Sequence, residues 1–370
     1  MSSSRIVIAS VLKPLYEPRM YEKIGISLSE IPNTEVHVIG HGKEDKNKGT
    51  AVRVHSIGLF SRLSFSRLLA PWHVFFIVLK LKPQVLIACT HELLFPFTLY
   101  KLLRPKTKLV YDLQENYSLN ILHTQAFPAW LRSPIALGVR VKERMLLPFY
   151  SLILSAENCY LQEMPFIQKK ALVVANKVVR STNTTRKTPN GEIVLLYSGS
   201  ISREYGIYDA IKLIEQLHSI NPAFQLHILG YCADAGEAHR LKAFIKKIPY
   251  IKANDFDIAI PHSAILKAIQ DADWGLVCYR ENTATKNRIP TKLYEYIAYH
   301  LPVLCTSNST WSKLMQTYDA GMSINYEKPQ LHELIQRLKH PHFYQTIHST
   351  DELYWETEAK RLKNSIQYLL

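Results

Sequence analysis

The sequence predicts an α/β protein made of two doubly wound domains, each built on a parallel sheet. Three observations predict it. Short β-branched runs alternate with longer helical patterns through the 370 residues, which is the rhythm of βαβ units. Several of the runs are almost continuously apolar, as strands covered on both faces are. The polar segment RSTNTTRKTPNGE at 180–192 then breaks the alternation once, ending in Pro-Asn-Gly, and the pattern restarts after it. This places an N-terminal domain at 1–187 and a C-terminal domain at 188–370.

In chain order, the first half offers strands at 5–11 (RIVIASV), 35–40, 52–58, 84–89 (QVLIAC), 108–113 (KLVYDL), 151–156 and 171–176 (ALVVAN). Helical patterns lie between them, including 20–30 and 94–103. The run LLAPWHVFFIVL at 68–79, bracketed by Arg67 and Lys80, is far shorter than the roughly 20 residues a bilayer span requires. It reads as a buried or interfacial helix. The second half offers strands at 192–199 (EIVLLYSG), 224–230 (FQLHILG), 274–279 (WGLVCY), 302–306 and 321–326, with helices at 208–217, 237–247, 263–269 and 292–299.

Composition narrows the class. Hydrophobic residues make up 47% and charged residues 21%, a globular balance that argues against a disordered or fibrous chain. The net charge is +14, and its position is informative. The first 190 residues hold 26 Lys/Arg against 12 Asp/Glu, and the rest hold 19 of each. Two halves so differently charged suggest different surface partners. No helix-turn-helix, RNP or zinc-finger pattern is present, so nucleic acid is not the expected partner. Cys89, Cys159, Cys232, Cys278 and Cys305 are scattered, with no CxxC pair. They read as buried small hydrophobes of a reducing compartment, not as a disulfide scaffold or zinc site. The opening MSSSRIVIASVLKP reads as a first strand and not as a secretory signal.

In open α/β sheets ligands bind beyond the carboxyl ends of the strands. YSGSISREYG at 197–206 puts Gly199, Ser200 and Arg203 between a strand and a helix. Glycine lets a ligand approach the backbone, a helix start offers free N–H groups to phosphate, and Arg203 can grip a diphosphate. The same residues also suit an ordinary βα turn. Gly230 ends the next strand. After strand 274–279, Asn287, Arg288 and Ile289 lead to Pro290, and Pro290 or Thr291 opens a helix. Lys292 and Glu295 follow in its first turns. On spacing alone they form either a site or an exposed helical pair.

Residues 287–305, NRIPTKLYEYIAYHLPVLC, resemble the signature of glycosyltransferase family 4 and its relatives: a Pro, a Lys two residues on, a Glu-Tyr pair, then Pro-Val opening a strand. Other segments fall in the same order. SGSISREYGIYDAIKLIEQL is similar to the loop and helix that open the family's nucleotide-binding domain, and YEPRMYEKIGISLSE to its first helix. KLVYDLQENY is similar to a strand ending in Asp-x-His-Glu, VVAN to the strand before the interdomain linker, and IPHSAILKAIQDADWGLVCY to the helix before the acidic-residue strand.

What the resemblance implies is a GT-B fold, two Rossmann-like domains facing across a cleft, with the last helix packing back on the first domain. The C-terminal domain would hold a nucleotide diphosphate sugar through Gly199, Ser200, Arg203, Gly230, Arg288, Thr291, Lys292 and Glu295. Glu295 would take the ribose hydroxyls and Arg203 the diphosphate, while Lys292 either assists or is structural. The catalytic set would be Arg203, Gln114 and Asn287. Transfer would retain anomeric configuration, with no cofactor and no bound metal. The sequence departs from the family twice. Asn287 stands where many members have Glu, and Gln114, in Asp112-Leu113-Gln114-Glu115, stands where they have His. His91 and Glu92, after strand 84–89, and Glu115 are acceptor-side candidates, and His91 is either a substitute for the missing His or structural.

The basic half suggests its own partner. Arg62, Arg67, Lys80 and Lys82 flank the apolar run at 68–79. Arg132, Arg140, Lys142 and Arg144 alternate with Trp130, Leu131, Ile135, Leu137, Val141 and Met145. Basic and bulky apolar residues interleaved in this way suit an anionic membrane, with Trp72, Phe75 and Trp130 entering it. The expected enzyme is therefore cytoplasmic and peripheral to the inner face of the membrane. It moves a sugar to a surface-glycan or lipid-linked acceptor. The alternatives are a non-hydrolysing nucleotide-sugar epimerase and a non-catalytic subunit of the same fold that binds a partner transferase.

Overall fold

The computed structural model describes residues 3–45, 51–59, 65–123, 127–180, 191–258, 260–280, 282, 285–345 and 350–370. The boundary expected at 187/188, Arg62 and Glu281 lie outside the described residues. The chain forms two compact units, Met1–Val179 with Trp355–Leu370, and Arg180–Tyr354.

The first unit is a seven-stranded parallel sheet: β1 (Ser4–Pro14), β2 (Thr34–His41), β3 (Val52–Ser56), β4 (Val85–Ala88), β5 (Lys108–Leu113), β6 (Leu152–Ser155) and β7 (Ala171–Val173), in the order β3-β2-β1-β4-β5-β6-β7. Its helices are α1 (Ile26–Ser29), α2 (Phe65–Leu81), α3 (Leu94–Leu103), α4 (Tyr117–His123), α5 (Ala129–Leu146) and α6 (Cys159–Glu163). Every strand the sequence predicts here is present. The helix expected at 20–30 begins instead as a wide π-helical turn, Pro18–Gly25, and only then becomes α1. Pro18 opens it, and the Glu17 carboxylate caps it by accepting from Met20 N at 2.7 Å, which meets one of the orphan donors of a helix start.

The second unit is a six-stranded parallel sheet. It comprises β8 (Ile193–Ser200), β9 (Phe224–Tyr231), β10 (Ile251–Ala253), β11 (Trp274–Val277), β12 (Val303–Thr306) and β13 (Gly321–Ile324), in the order β10-β9-β8-β11-β12-β13. Its helices are α7 (Ile207–Ile220), α8 (Ala235–Ile245), α9 (His262–Asp271), α10 (Thr291–Ala298), α11 (Ser309–Thr317) and α12 (Leu331–Lys339). Burial explains the strands. Leu195, Leu196 and Tyr197 of β8 and Leu276 and Val277 of β11 are buried, so those strands read apolar on both faces, while β9 alternates, burying Leu226 and Ile228 on one face.

The last helix, α13 (Trp355–Gln367), belongs to the first unit. Trp355, Ala359, Leu362 and Ile366 join Ile6, Ile8, Ile24 and Leu28 in one of its apolar clusters. The Trp355 indole donates to Ser27 Oγ at 2.9 Å, and the buried Glu358 takes Lys177 at 2.7 Å. In each parallel sheet the order of strand addition reverses beside a central strand, between β1 and β4 and between β8 and β11. Loops following those strands are the expected ligand positions of such sheets.

Candidate functional site

In the second unit the site is built where β8 ends. Gly199 has φ +94°, which a residue with a Cβ adopts only with strain. Gly199 is paired with Gly230 of β9, and any side chain at Gly230 would overlap the Gly199 carbonyl oxygen. The two glycines therefore let the strand ends close together and leave the backbone bare on top. Asn254 clamps the second one, accepting from Gly230 N at 2.8 Å and donating to Gly230 O at 2.9 Å.

Lys292 fills the space beside this turn. A Cβ at Gly199 would stand 3.6 Å from its Cε and 3.7 Å from its Nζ. Lys292 is buried, and its ammonium lies 4.6 Å from the centroid of the Tyr197 ring and 5.2 Å from that of Tyr279. Among the described residues Nζ has no hydrogen-bond partner. Burial pushes its pKa down to about 8. A buried cation without a partner calls for an explanation, and a bound anion supplies one.

Helix α10 carries Lys292 into place. Pro290 precedes it in extended conformation and Thr291 is its first residue, so Pro290 caps the helix and does not open it. Tyr296 lies over Gly275 of β11 and pairs its hydroxyl with Ser198 Oγ at 2.8 Å, locking the helix to β8 and β11. Glu295, one turn on, is also buried. The exposed Lys292–Glu295 pair is thus ruled out, because the whole of 292–298 is buried. The Glu295 carboxylate is met by His262, the first residue of α9, whose Nε2 lies 2.7 Å from Oε1.

Other predicted donor-side residues have different surroundings. Arg203 is exposed and donates through Nε to Glu237 of α8 at 3.1 Å, with its guanidinium 5.1 Å from the centroid of the Tyr208 ring. Glu237 is held down to about 2 by its hydrogen bond from Arg240, with Tyr208 and Arg203 adding to it against burial. Ser200 closes β8, and its carbonyl accepts from the Tyr197 hydroxyl at 3.2 Å. Arg288 is half-buried, and its carbonyl accepts from the Trp311 indole at 2.6 Å. Asn287 is exposed in the turn before it.

In the first unit, buried Arg19 forks onto buried Asp112, with Nη2 at 2.7 Å from Oδ1 and Nε at 3.1 Å from both oxygens. Its Nη1 donates to Val174 O at 2.9 Å. The Gln114 amide donates to Asp112 Oδ2 at 2.8 Å. Because a carboxylate only accepts, the Gln114 nitrogen is the atom turned inward and its oxygen remains for a hydroxyl donor. Glu115 accepts from Asn120 at 2.7 Å and lies 3.8 Å from Lys13.

His91 and Glu92 sit in a second network. Lys142 Nζ donates to His91 Nδ1 at 2.7 Å, Glu92 takes Arg67 at 2.9 Å, and the His91 ring meets Tyr117 edge-on with centroids 4.8 Å apart. Burial pushes His91 down to about 4, so it is neutral at pH 7. Arg140 donates to Asn116 Oδ1 at 2.6 Å and to buried Glu143 at 3.2 Å. Glu143 is raised by burial to about 7. Of the eight basic residues expected to face a membrane, four lie at 132–144, and of these Arg140 and Lys142 are turned into this polar network. Buried carboxyl and imidazole groups need partners, and α5 supplies them. Arg132 is half-buried and donates to Phe127 O at 2.9 Å, and only Arg144 is exposed. Phe75 likewise belongs to the core.

Residues 181–342 match the family model described as glycosyl transferases group 1. The second unit carries a group 1 glycosyl transferase domain. No curated protein matches the chain. Among solved structures, a sucrose-phosphate synthase from Thermosynechococcus elongatus is similar over 99% of this chain and 99% of its own, with TM-score 0.70 and 12% identity. Anabaena HepE in complex with UDP and glucose is similar over 98% of this chain and 99% of its own, with TM-score 0.66 and 14% identity. The lipopolysaccharide outer core galactosyltransferase WaaB, in its apo form, is similar over 99% and 100%, with TM-score 0.61 and 14% identity. These likenesses show the GT-B fold.

The glycosyl transferase domain brings Gly199, Gly230 and Lys292 together and sets Glu295 on the same helix as Lys292. It pairs Arg203 with an acidic partner of its own. Sequence reasoning missed His262, Glu237 and the rings of Tyr197 and Tyr279. Tyr279 stands just past the end of β11, which is a signal for the site, whereas Tyr197 lies within β8 and reads as core. Nothing in the sequence ties His262 to a carboxylate 33 residues away.

Proposed function

We propose that this protein transfers a sugar from a nucleotide diphosphate sugar to a lipid-linked or surface-glycan acceptor, with retention at the anomeric carbon. The observation that carries the reading is Lys292, a buried ammonium without a hydrogen-bond partner, set against the bare backbone of Gly199. A diphosphate lying over Gly199 would receive that charge at the N-terminal turn of α10. The Glu295 carboxylate, three residues along the same helix, suits a vicinal diol such as a ribose. Arg203 would leave Glu237 to neutralise the departing diphosphate. The acceptor hydroxyl attacks from the face the diphosphate leaves, and the diphosphate takes its proton. Gln114, with its oxygen free to accept, orients a sugar hydroxyl.

The acceptor side is read from the surface of the first unit. Helix α3 packs against both α2 and α5. These three helices expose Leu68, Leu69, Trp72 and Phe76, then Phe95, Leu102 and Leu103, then Trp130, Leu137, Val141 and Met145. No helix among the described residues is long and apolar enough to cross a membrane. An apolar face of this kind on a basic unit suits peripheral contact with anionic lipid, where a lipid-linked acceptor presents its sugar.

The test is incubation of the protein with UDP-, GDP- and dTDP-sugars, with and without a lipid-linked acceptor, measuring release of the nucleoside diphosphate. Acceptor-dependent release that continues in excess EDTA is expected, since the Lys292 ammonium takes the place of a metal. Of the two Asp-x-Asp pairs in the sequence, Asp255 and Asp257 are both taken by Lys242, and Asp273 of the pair Asp271–Asp273 accepts from Val194 N at 2.8 Å. In the same assay Glu295→Ala weakens nucleotide binding by about 2–4 kcal/mol, while Glu281→Ala leaves it unchanged. Equal affinities of the two variants would overturn the assignment of Glu295.

A further inference from the structure

We infer that His262 is a positioning residue, which fixes the Glu295 carboxylate in the orientation that receives the donor's ribose. The inference rests on the nucleotide-binding reading above and names a residue outside the matched signature at 287–305.

Glu295 is a buried carboxylate on α10, and His262 begins a different helix, α9, which packs against β8. Nε2 of the imidazole lies 2.7 Å from Oε1. A carboxylate only accepts, so Nε2 carries the hydrogen and donates it. Among the described residues this is the hydrogen bond made by the Glu295 side chain. One oxygen of a side chain with three rotatable bonds is thereby tied down. The second oxygen, and the remaining lone pair of the first, are left to accept from a ligand. A vicinal diol brings two O–H donors at a fixed spacing, so it gains from a carboxylate that is already oriented and does not pay ordering entropy on binding.

The backbone that carries the imidazole is itself held. Pro261 precedes it in extended conformation as the cap of α9, and Ala264 N donates back to Pro261 O at 3.0 Å. The ring is partly exposed, with 28% of its side chain open, against 9% for Glu295. The donor thus stands at the mouth of the site and the acceptor behind it, as a residue acting through another requires. It touches the carboxylate, and no reacting bond is assigned to it.

The experiment measures affinity for UDP and for GDP by calorimetry in the full-length protein, taking whichever nucleotide the wild type binds. The variants are His262→Phe, His262→Gln, Glu295→Ala and the double variant His262→Phe/Glu295→Ala, each checked for an unchanged melting profile. His262→Phe keeps the ring's bulk and loses the donor, and affinity should fall about tenfold. His262→Gln restores an N–H at nearly the same reach and should lie within about twofold of wild type. In turnover the loss should appear in KM for the donor, with kcat little changed. In the Glu295→Ala background, His262→Phe should have no further effect, because the group it orients is gone. His262→Phe binding as wild type while Glu295→Ala does not would overturn the inference and leave the nucleotide-binding reading intact. So would an equal further loss in the double variant, or a Gln variant no better than Phe. Glu295→Ala binding as wild type would overturn the reading itself.

Discussion

At the scale of single residues, Lys292 sets stability against function. Its amine is fully charged only below about 8, because burial disfavours the ammonium. Between that value and the ordinary lysine pKa of about 10.4, the unfolded chain holds a proton the folded one has lost. Folding is therefore favoured as pH rises through that window, while attraction for a diphosphate fades over the same rise. We predict that nucleotide affinity falls about tenfold between pH 7 and pH 9 as the charge is lost, measured by calorimetry at constant ionic strength. Lys292→Met should melt a few degrees higher than wild type at pH 7 and bind no nucleotide, since it replaces a buried unpaired charge with apolar volume. A variant that melts lower would mean the ammonium has a partner in solution. The lysine was legible as a candidate from its place after Pro290. Its burial was not, because a Lys-x-x-Glu spacing looks the same on an exposed helix.

At the scale of elements, the meeting of β8 and β9 depends on having no side chain at Gly230. We predict that Gly230→Ala costs about 2–4 kcal/mol, because its methyl group lands on the Gly199 carbonyl and the strand ends must part. Urea unfolding followed by circular dichroism gives the number, and a loss under about 0.5 kcal/mol would show that the strand ends relax freely. Helix α5 makes a second case. Removing Arg140 leaves Glu143 buried beside Tyr111 without its cation, so Arg140→Ala should cost about 3 kcal/mol, whereas Arg144→Ala should cost little. Similar losses for the two would contradict the inward placement of Arg140. The strands were legible because both faces are buried and apolar residues run on without a break. β10 was not: Ile251, Lys252 and Ala253 are too few, and only Ile251 is buried. The helix α5 was legible, but not the direction of its cations. Arg140 points to Glu143 of its own helix and to Asn116, and Lys142 to His91, and Asn116 and His91 come from distant loops.

At the scale of the whole molecule, the charge excess of the first half and its exposed apolar face argue for a shared surface. Trp130 is 77% exposed, Met145 66% and Leu137 65%. Partial burial of such side chains in lipid is worth about 1–2 kcal/mol each. We predict that Trp130→Ser/Leu137→Ser/Met145→Ser lowers co-sedimentation with phosphatidylserine vesicles at least about tenfold and leaves nucleotide affinity as it was. Wild type that stays in the supernatant at low salt would remove the membrane from the account. The division into two Rossmann-like parts was legible in the restart of the strand pattern. The His262–Glu295 contact was not, since it joins residues that only the folded sheet brings together. The return of α13 carries a consequence for biosynthesis. Trp355, Leu362 and Ile366 complete an apolar cluster whose other members begin at Ile6. A ribosome emits those first residues long before the last ones. Until α13 has emerged, the nascent first unit holds Ile24 and Leu28 without that cover, and leaves an apolar patch of the kind chaperones bind. A chain cut short anywhere in the second unit lacks α13 and leaves the same surface uncovered.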